Sequence, residues 1–415
     1  MCSQEGDDYR LLKEYANGFM VSQVLFAACE LGVFELLAEA LEPLDSAAVS
    51  SRLGSSPRGT ELLLDTCVSL KLLQAAVRGG KAVYANTELA STYLVRGSPR
   101  SQRDMLLYSG RTAYVCWRHL AEAVREGRNQ YPKAFGIPSE ELFSAIYRSE
   151  DERLRFMEGL QDVWRLEGAS VLAAFDLSPF PLICDLGGGS GALARACVSL
   201  YPRCRVIVFD IPGVVRMAKR HFSAWEDERI SFHEGDFFKD PLPEADLYIL
   251  ARVLHDWTDA KCCHLLQRLY RACRTGGGVL VIESLLDADG RGPLTTLLYS
   301  LNMLVQTEGR ERTPAQYHAL LAPAGFRDVQ CRRTGGTYDA VLARNCEEQR
   351  LLSSSASCLL SAFRLGASSL SLQSTGSRAH ELQYRLLVAS AVVTPRLWSP
   401  GSLAVVRGFS GSNDV

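Results

Sequence analysis

The sequence lacks several features that would assign it at once to a broad functional class. It has no uninterrupted apolar run of about 18 residues, so nothing in it predicts a membrane-spanning helix. Its formal net charge is only −2, which argues against a general nucleic-acid-binding protein, since those usually carry a basic excess. Its first ten residues are polar and acidic, unlike a secretory signal. These absences favour a cytoplasmic protein with neither a membrane nor a nucleic acid as partner.

The thirteen cysteines lack the spacing of a metal site or of a disulfide framework. No C-x-x-C pair occurs, and no cysteines and histidines cluster at zinc spacing. Cys262 and Cys263 are adjacent, and neighbouring cysteines rarely form a disulfide with each other. We therefore expect reduced thiols and no metal site.

The stretch from Leu182 to Gly191 combines a short apolar strand, an acid and a glycine cluster, followed by a helix pattern. Glycine tolerates positive φ and has no side chain, so a ligand can approach the backbone of such a turn. A phosphate loop is excluded because no lysine lies nearby, and the strict dinucleotide fingerprint fails at Ala192, although a relaxed form allows alanine. The acid Asp185, two positions before Gly187, resembles the D-x-G-x-G-x-G signature of S-adenosylmethionine-dependent methyltransferases.

A second acid follows the next predicted strand. Asp210 ends the run from Arg205 and comes 23 residues after Gly187. A carboxylate at this spacing can accept both hydrogen bonds of a ribose diol. Alternatively, Asp210 caps the helix that begins near Pro212.

From Pro181 onward the pattern alternates between strand and helix, which predicts a parallel sheet covered on both faces. The predicted strands are Leu182–Leu186, Val206–Asp210, Ile230–Glu234, Leu247–Ala251, Val279–Glu283, Phe326–Arg332 and Tyr338–Ala343, with Gly276–Gly278 ending the helix before the fifth. The linker between the last two strands is too short for a helical crossover, so they form an antiparallel hairpin. A Rossmann-like doubly wound sheet with a terminal antiparallel strand is the class I methyltransferase topology.

The N-terminal segment predicts helices and a hairpin in a winged-helix pattern. Amphipathic helices cover 9–40 with a break at Gly32, a short helix follows Asp45, and another runs from Glu61 to Leu73 with Leu62 facing inward. A winged helix raises DNA binding as an alternative. The second helix of the pair is acidic, however, so dimerisation through the first long helix is the favoured role.

Polar residues after the third and fourth strands are candidates for chemistry, because ligands of open α/β sheets bind at the carboxyl ends of the strands. Asp236 can accept a hydrogen bond from an adenine amine and Phe237 can stack on the ring; alternatively, Gly235-Asp236 is only a turn and Phe237 is a core residue. His255 is the candidate general base, since a positioned imidazole can remove the proton of a phenol. Glu283 and Glu311 can orient the imidazole, unless they are only surface charges.

Four further residues suit a cleft for a sulfonium cofactor and a flat aromatic substrate. Tyr147 and Trp164 either wall the cofactor cleft, where an aromatic face attracts a cation, or are core aromatics. Asn302 and Gln306 lie four apart on an otherwise apolar helix, Leu294 to Gln306, and therefore share a face. Two amides on such a face suit a flat aromatic substrate with an amide side arm, although Gln306 could instead turn to solvent.

Five ordered motifs resemble the plant-type small-molecule O-methyltransferases, and the resemblance covers the chain from about Tyr9 to Arg344. The motifs are Asp185-Leu-Gly-Gly-Gly-Ser-Gly191, Glu234-Gly-Asp-Phe-Phe238, Leu254-His-Asp-Trp257, Gly276-Gly-Gly278 and Glu311-Arg-Thr-Pro314. The resemblance implies S-adenosylmethionine as cofactor, a homodimer with intertwined N-terminal helices, and a hydroxyindole substrate rather than another flat phenol. It implies cofactor contacts at Tyr147, Trp164, Gly187, Asp210, Gly235, Asp236, Phe237 and Arg252, with His255 as base and Asp256, Asn302 and Gln306 at the substrate.

We expect four segments along the chain. They are a winged-helix-like dimerisation domain (1–100), a helical linker and substrate lid (101–178), the S-adenosylmethionine-binding methyltransferase domain (179–345) and an atypical Ser/Leu-rich tail (346–415). The family pattern normally stops near Asn345, so the tail is a departure. The alternatives to the expected enzyme are a methyltransferase for another hydroxyindole or phenol, an inactive paralogue silenced by the tail, and a DNA-binding winged-helix protein.

Overall fold

The computed structural model describes residues 2–137, 142–222 and 227–346 of the 415-residue chain. The predicted C-terminal tail therefore lies outside the described residues except for Cys346. The sequence also predicts a break at Pro138 and a helix from Glu140 to Tyr147, and both Pro138 and the start of that helix lie outside the described residues as well.

The chain begins with two helices that meet at a glycine. Helix α1 (Cys2–Leu31) and helix α2 (Val33–Glu39) are separated by Gly32, whose φ of 78° is left-handed. Glycine adopts this conformation at no steric cost, so the predicted break is confirmed. The short helix predicted after Asp45 is confirmed as α3 (Ser46–Leu53), and the Asp45 carboxylate caps it by accepting a hydrogen bond from an N–H in its first turn.

A small antiparallel sheet completes the N-terminal module. Its strands are β1 (Leu44–Asp45), β2 (Leu73–Arg78) and β3 (Lys81–Asn86), in the order β1-β3-β2. Helix α4 (Pro57–Ser69) begins and ends four residues earlier than predicted, since Ser56 caps it and Leu73 belongs to β2. Leu62 was expected to face inward but is 60% exposed, because the shifted helix buries Leu64 instead.

The middle of the chain is helical, as predicted. Its elements are α5 (Glu88–Tyr93), α6 (Arg103–Tyr108), a π-helical turn (Ser109–Ala113), α7 (Tyr114–Trp117), α8 (Leu120–Glu126), α9 (Tyr131–Phe135), α10 (Leu142–Ile146) and α11 (Glu150–Leu172). The buried carboxylate of Asp162 on α11 accepts hydrogen bonds from the N–H groups of Asp104 and Met105 in the first turn of α6. These bonds fasten α6 to α11.

Within the described residues, seven strands form the main sheet, and helices cover both of its faces. The strands are β4 (Leu182–Leu186), β5 (Arg205–Asp210), β6 (Ile230–Glu234), β7 (Ala245–Ala251), β8 (Cys273–Glu283), β9 (Arg327–Arg332) and β10 (Asp339–Arg344). The helices are α12 (Ala192–Leu200), α13 (Pro212–His221), α14 (Asp259–Ala272), α15 (Leu294–Gln306) and α16 (Pro314–Ala324). The strand order is β6-β5-β4-β7-β8-β10-β9, and it reverses direction between β4 and β7.

The sheet has the doubly wound form with one reversed strand, as expected for a class I methyltransferase. The last strand of the described residues, β10, lies between β8 and the edge strand β9 and runs antiparallel to both. The glycine triplet Gly276–Gly278 was expected to end a helix, which is wrong: α14 already ends at Ala272, and the glycines lie within β8. A Cβ at Gly277 would lie 2.2 Å from a carbonyl oxygen of the neighbouring strand, so the triplet serves close strand packing.

The core lies on both faces of this sheet. Along β4, Ile183 contacts one buried cluster while Cys184 and Leu186 contact the other, and β7 alternates in the same way. Burial on both faces explains why these strands are continuous apolar runs. It leaves the strand ends as the places where polar side chains can gather.

Within the described residues, no single helix is both long and apolar enough to cross a bilayer. A bent pair, Gly6–Leu31 followed by Val33–Glu39 with an angle of 52° between them, meets the criterion by length and composition alone.

Candidate active site

The carboxyl ends of four neighbouring strands bring the predicted polar residues to one edge of the sheet. Asp185 lies near the end of β4, Asp210 ends β5, His255 follows β7 and Glu283 ends β8. The strand order reverses at this edge, which is where open α/β sheets form a crevice.

The turn after β4 depends on glycine at alternate positions. Gly187, Gly189 and Gly191 have φ angles of 72°, 55° and 74°, the left-handed region that L side chains rarely adopt. A Cβ at Gly189 would meet nothing within 4 Å among the described residues, so the turn has an open side there. A Cβ at Gly187 would lie 4.0 Å from the ring of Phe237, which places that ring beside the turn.

Two acids flank this turn and both are poorly solvated. The carboxylate of Asp210 accepts hydrogen bonds from the N–H groups of Gly189 (3.0 Å) and Ile211 (2.8 Å). The Oδ2 atom of Asp185 is buried and has no hydrogen-bond partner within residues 2–137, 142–222 and 227–346. Burial raises the pKa of Asp185 to about 7, with a further contribution from the charge of Asp210. Burial also raises the pKa of Asp210 to about 6, against the effect of its two N–H donors.

The loop after β6 carries the next predicted residues. Gly235 donates its N–H to the backbone oxygen of Asp210, and a Cβ there would lie 2.4 Å from the ring of Phe209. The Asp236 carboxylate accepts from the N–H of Phe238 (2.8 Å) and pairs with Lys239 (3.1 Å). Asp236 therefore stabilises its own turn, and its contact with an adenine amine stays a prediction.

The two aromatic residues predicted at the cofactor, Tyr147 and Trp164, both pack against the core, and their role as walls of the cleft stays a prediction. The Tyr147 side chain is half-buried, and desolvation followed by the charges of Asp210 and Asp256 raises its pKa well above the usual value. Trp164 packs against Tyr338 with ring centroids 5.4 Å apart.

Arg252, directly after β7, has a strained backbone and an unsatisfied side chain. Its φ of 56° is rare for a residue other than glycine, and such outliers cluster at functional sites. Its guanidinium carbon lies 5.5 Å from the centroid of the Tyr338 ring. Its buried Nε has no partner in the described part of the chain.

His255 lies in a short 3₁₀ turn, Leu254–Asp256, and is buried among three carboxylates. Its Nδ1 is 2.8 Å from Oε1 of Glu311 and 3.4 Å from Oε2 of Glu283. Its Nε2 is 3.6 Å from Oδ1 of Asp256. The predicted association of His255 with both glutamates is therefore present, with Glu311 as the closer partner.

Glu283 also supports the turn that carries the imidazole. Its Oε1 accepts hydrogen bonds from the consecutive N–H groups of Val253, Leu254 and His255, at 2.9–3.3 Å. One carboxylate oxygen thus fixes the backbone of the turn, while the other faces the imidazole.

The negative charges around the His255 imidazole raise its pKa by more than burial lowers it. Burial alone would lower the pKa of His255, but the carboxylates of Glu283, Glu311 and Asp256 raise it to about 9. Burial raises the pKa of Glu283 above its usual value, and the nearby imidazolium opposes that rise. The surrounding acids therefore favour the protonated form of the imidazole.

The same three side chains are arranged as potential metal ligands. One donor atom from each of His255, Glu283 and Glu311 lies within 4.8 Å of the others. The closest pair is already joined by a hydrogen bond between the imidazole and Glu311. The expectation that the protein has no metal site stays a prediction.

The two predicted substrate amides are joined to each other. The Oδ1 of Asn302 accepts from Nε1 of Trp117 (2.8 Å) and from Nε2 of Gln306 (2.6 Å). The Oε1 of Gln306 in turn accepts from the hydroxyl groups of Tyr108 and Tyr131, each at 3.3 Å. Gln306 is buried, while Asn302 is half-buried and its Oδ1 is held by two donors.

Two residues of the site were not identified from the sequence. Tyr338 lies between Trp164 and Arg252, and no sequence pattern marked it because it is one aromatic at the start of a strand. Arg312 is buried behind the His255 turn, and the only signal for it was its place beside Glu311 in a shared motif.

Two family models match the chain. An O-methyltransferase domain matches residues 117–327, and an O-methyltransferase dimerisation domain matches residues 13–96.

Individual proteins match over most of their length. The chain is 92% identical over 344 residues to acetylserotonin O-methyltransferase of Bos taurus and 70% identical over 344 residues to that of Homo sapiens, covering 83% of this chain and 100% of each relative. Its fold is similar to the crystal structure of human N-acetylserotonin methyltransferase in complex with SAM, with a TM-score of 0.82 and 69% identity. That match covers 84% of this chain and 100% of the human one.

Proposed function

Because the chain belongs to the acetylserotonin O-methyltransferase family, we propose that it transfers a methyl group from S-adenosylmethionine to the 5-hydroxyl oxygen of N-acetylserotonin, giving melatonin. The observation that supports this chemistry most directly is the imidazole of His255, held 2.8 Å from Glu311 beside the glycine-bordered crevice. A phenol needs a base at this place, since its pKa is about 10 and little of it is ionised at neutral pH.

The crevice contains polar groups that suit the cofactor. Asp185 and Arg252 each keep a buried polar atom without a partner among the residues that the structure describes, which fits a ligand carrying both an ammonium and a carboxylate. The open side of the turn at Gly189 leaves room for that end of the molecule. Asp210 is fixed by two N–H groups and can accept from the ribose diol. When bound, S-adenosylmethionine supplies an electrophilic methyl group on a positively charged sulfur.

His255 is proposed as the general base through its Nε2 atom. Since Nδ1 is engaged by Glu311, Nε2 is the nitrogen available to take the proton of the 5-hydroxyl group. The imidazolium that results is stabilised by Glu311 and Glu283, whose charges raise the pKa of His255 to about 9. That value lies close to the pKa of a phenol, about 10, so the proton transfer from the hydroxyl group to the imidazole is nearly balanced.

The substrate is proposed to bind between Asp256 and Asn302. Trp117 and Gln306 hold Oδ1 of Asn302, so its Nδ2 can donate a hydrogen bond to the acetamide oxygen of N-acetylserotonin. Gln306 acts here by orienting that amide.

We also propose that the protein is a homodimer, with neither a nucleic acid nor a membrane as partner. Helix α1 exposes a row of large apolar side chains, Tyr9, Leu12, Tyr15 and Phe19, each at least 55% exposed. Such a row is the kind of face that a second copy covers, and sedimentation analysis would show a monomer if this were wrong. We propose a cytoplasmic location, which the lack of disulfide bonds within the described residues supports.

The direct test is methylation of N-acetylserotonin by the purified chain. Product should gain the mass of one methylene group and require S-adenosylmethionine, and His255→Ala should lower turnover by about 10²–10⁴-fold. Turnover of His255→Ala near the wild-type level would refute the base assignment. A panel with serotonin and simple phenols distinguishes this function from methylation of another acceptor, and a chain ending at Cys346 tests whether the tail silences the enzyme.

A further inference from the structure

Arg312 is buried, although arginine is seldom found in a protein interior without a specific reason. Its side chain is 1% exposed, and it directly follows Glu311, the closest partner of the candidate base. None of the roles assigned above uses it.

The guanidinium of Arg312 holds the carbonyl groups of the turn that carries His255. Its Nη1 donates to the backbone oxygen of Leu254 at 2.9 Å, and its Nη2 donates to that of Trp257 at 2.9 Å. These two carbonyls stand on either side of His255 and Asp256. Lysine cannot reproduce this arrangement, because it lacks the planar fork of donors.

The Arg312 side chain also binds helix α14. Both Nε and Nη2 donate to Oδ1 of Asp259, at 3.0 and 2.7 Å. The backbone oxygen of Arg312 accepts from the N–H of Leu286, three residues beyond Glu283. One residue therefore connects the segments that carry Glu283, Glu311 and the imidazole.

The backbone beside Arg312 packs against the same turn. The N–H of Glu308 donates to the backbone oxygen of Asp256 at 3.2 Å. A Cβ at Gly309 would lie 2.0 Å from the backbone oxygen of His255, so this contact requires glycine. The N–H groups of the turn are thus bound by Glu283, and its carbonyl groups are bound by Arg312 and Glu308.

We infer that Arg312 is a positioning residue for the methyl transfer: it fixes the His255 turn against Glu311 so that the imidazole keeps its orientation toward the substrate. The inference rests on the proposed function, because it acts through the proposed base. A small displacement of a catalytic group is enough to slow an oriented reaction strongly.

The test compares Arg312→Lys with Arg310→Lys in the full chain. Arg310 is exposed and also pairs with Asp259, so its variant makes the same chemical change without touching the carbonyls of the turn. We expect Arg312→Lys to lower kcat by about 10- to 100-fold, while the Kd for S-adenosylmethionine stays near that of the wild type. Arg310→Lys should keep the wild-type kcat.

A second readout separates positioning from simple loss of structure. If Arg312→Lys loosens the contact between Glu311 and His255, the pKa of the imidazole falls, and the acid limb of kcat/KM moves to lower pH. NMR titration of the His255 imidazole in the ligand-free protein should show the same fall, and Arg310→Lys should show neither change. A wild-type kcat together with an unmoved acid limb in Arg312→Lys would overturn the inference.

Two further outcomes are covered by the same experiment. If Arg312→Lys does not fold, Asp259→Asn is the second variant. It weakens the ion pair between residue 259 and the Arg312 guanidinium, and the Asp259 side chain is half-exposed. This variant should lower kcat and move the acid limb in the same direction, and wild-type behaviour would overturn the inference. If the wild-type chain does not methylate N-acetylserotonin, the proposed function fails, whereas the NMR titration still tests the positioning role.

Discussion

Replacing Glu311 with glutamine tests how the buried acids govern the candidate base. The substitution keeps an acceptor 2.8 Å from Nδ1 of His255 and removes one of the charges that raise its pKa to about 9. An opposite charge at this distance typically shifts a pKa by about 1–3 units. The pKa of His255 in the variant should therefore fall by at least about one unit.

In Glu311→Gln two effects should change kcat/KM, and at low pH they act in opposite directions: the plateau falls, while the pH at which kcat/KM rises becomes lower. A charge-assisted hydrogen bond contributes about 1.5–3 kcal/mol, so its loss in the transition state should lower the plateau of kcat/KM by about 10- to 100-fold. The active form of the base is the neutral imidazole, so kcat/KM of the wild type should rise with pH through about 9. In Glu311→Gln the same rise should occur at lower pH.

The assay is the initial rate of melatonin formation between pH 6 and 10, with sub-saturating N-acetylserotonin. A matched control is Glu308→Gln, because Glu308 lies nearby but pairs with Lys261 at the surface. An acid limb of the wild type near pH 6.5, or an unchanged plateau in Glu311→Gln, would refute the reasoning. Either result would mean that the carboxylates do not set the basicity of His255.

Three further predictions concern the cofactor crevice and the substrate amide. Asp185→Asn removes a carboxyl group whose pKa is raised to about 7 by burial. The free energy of unfolding of the variant, measured in urea and relative to the wild type, should therefore increase by ~2 kcal/mol between pH 5.5 and 8.5. The sign follows because the folded wild type loses stability as this buried carboxyl ionises. Trp117→Phe frees Oδ1 of Asn302 and should raise the KM for N-acetylserotonin several-fold, with an unchanged Kd for S-adenosylmethionine by calorimetry. Gly235→Ala places a methyl group 2.4 Å from the ring of Phe209 and should lower the free energy of unfolding by about 1–3 kcal/mol.

Each of these predictions has a comparison that can contradict it. A pH-independent stability difference for Asp185→Asn would show that the carboxyl is not a buried acid. If Trp117→Phe raised the KM for N-acetylserotonin and the Kd for S-adenosylmethionine equally, the cause would be a general loss of structure. For Gly235→Ala the control is Gly97→Ala, where a Cβ would meet nothing within 4 Å among the described residues, so equal stability losses would refute the steric reason.

The elements of the sheet were predictable because their signals are local. Strand β4, the glycine turn and helix α12 follow from an apolar run, an acid and three glycines within one short stretch. The boundaries of α4 were missed by four residues, because the sequence shows a helical pattern while the cap at Ser56 and the pairing of β2 decide where the helix starts and stops. Likewise the glycine triplet of β8 was misplaced, since its reason is contact with a neighbouring strand.

The residue types of the site were also predictable, but several of their roles were not. The carboxylate of Asp236 binds its own turn and Lys239, contacts that the sequence did not reveal, and its contact with the cofactor stays a prediction. The amide of Gln306 is bonded to two tyrosines and to Asn302, which the sequence did not reveal either, and its place at the substrate stays a prediction. Hydrogen-bond partners from distant parts of the chain compete for a polar side chain, and the sequence does not show which partner is near.

The sequence by itself determined the fold class, the glycine turn and the set of acids and imidazole at the ends of the strands, because spacing along one strand or turn is a local property. Only the tertiary structure decided that Glu311, 56 residues after His255, is the partner of Nδ1, and that Glu283 and Arg312 hold the same turn from opposite sides. The physical reason is that the pKa and the orientation of a buried imidazole depend on which charges and donors lie within a few ångströms in space. Those neighbours come from separate strands and loops that only folding brings together.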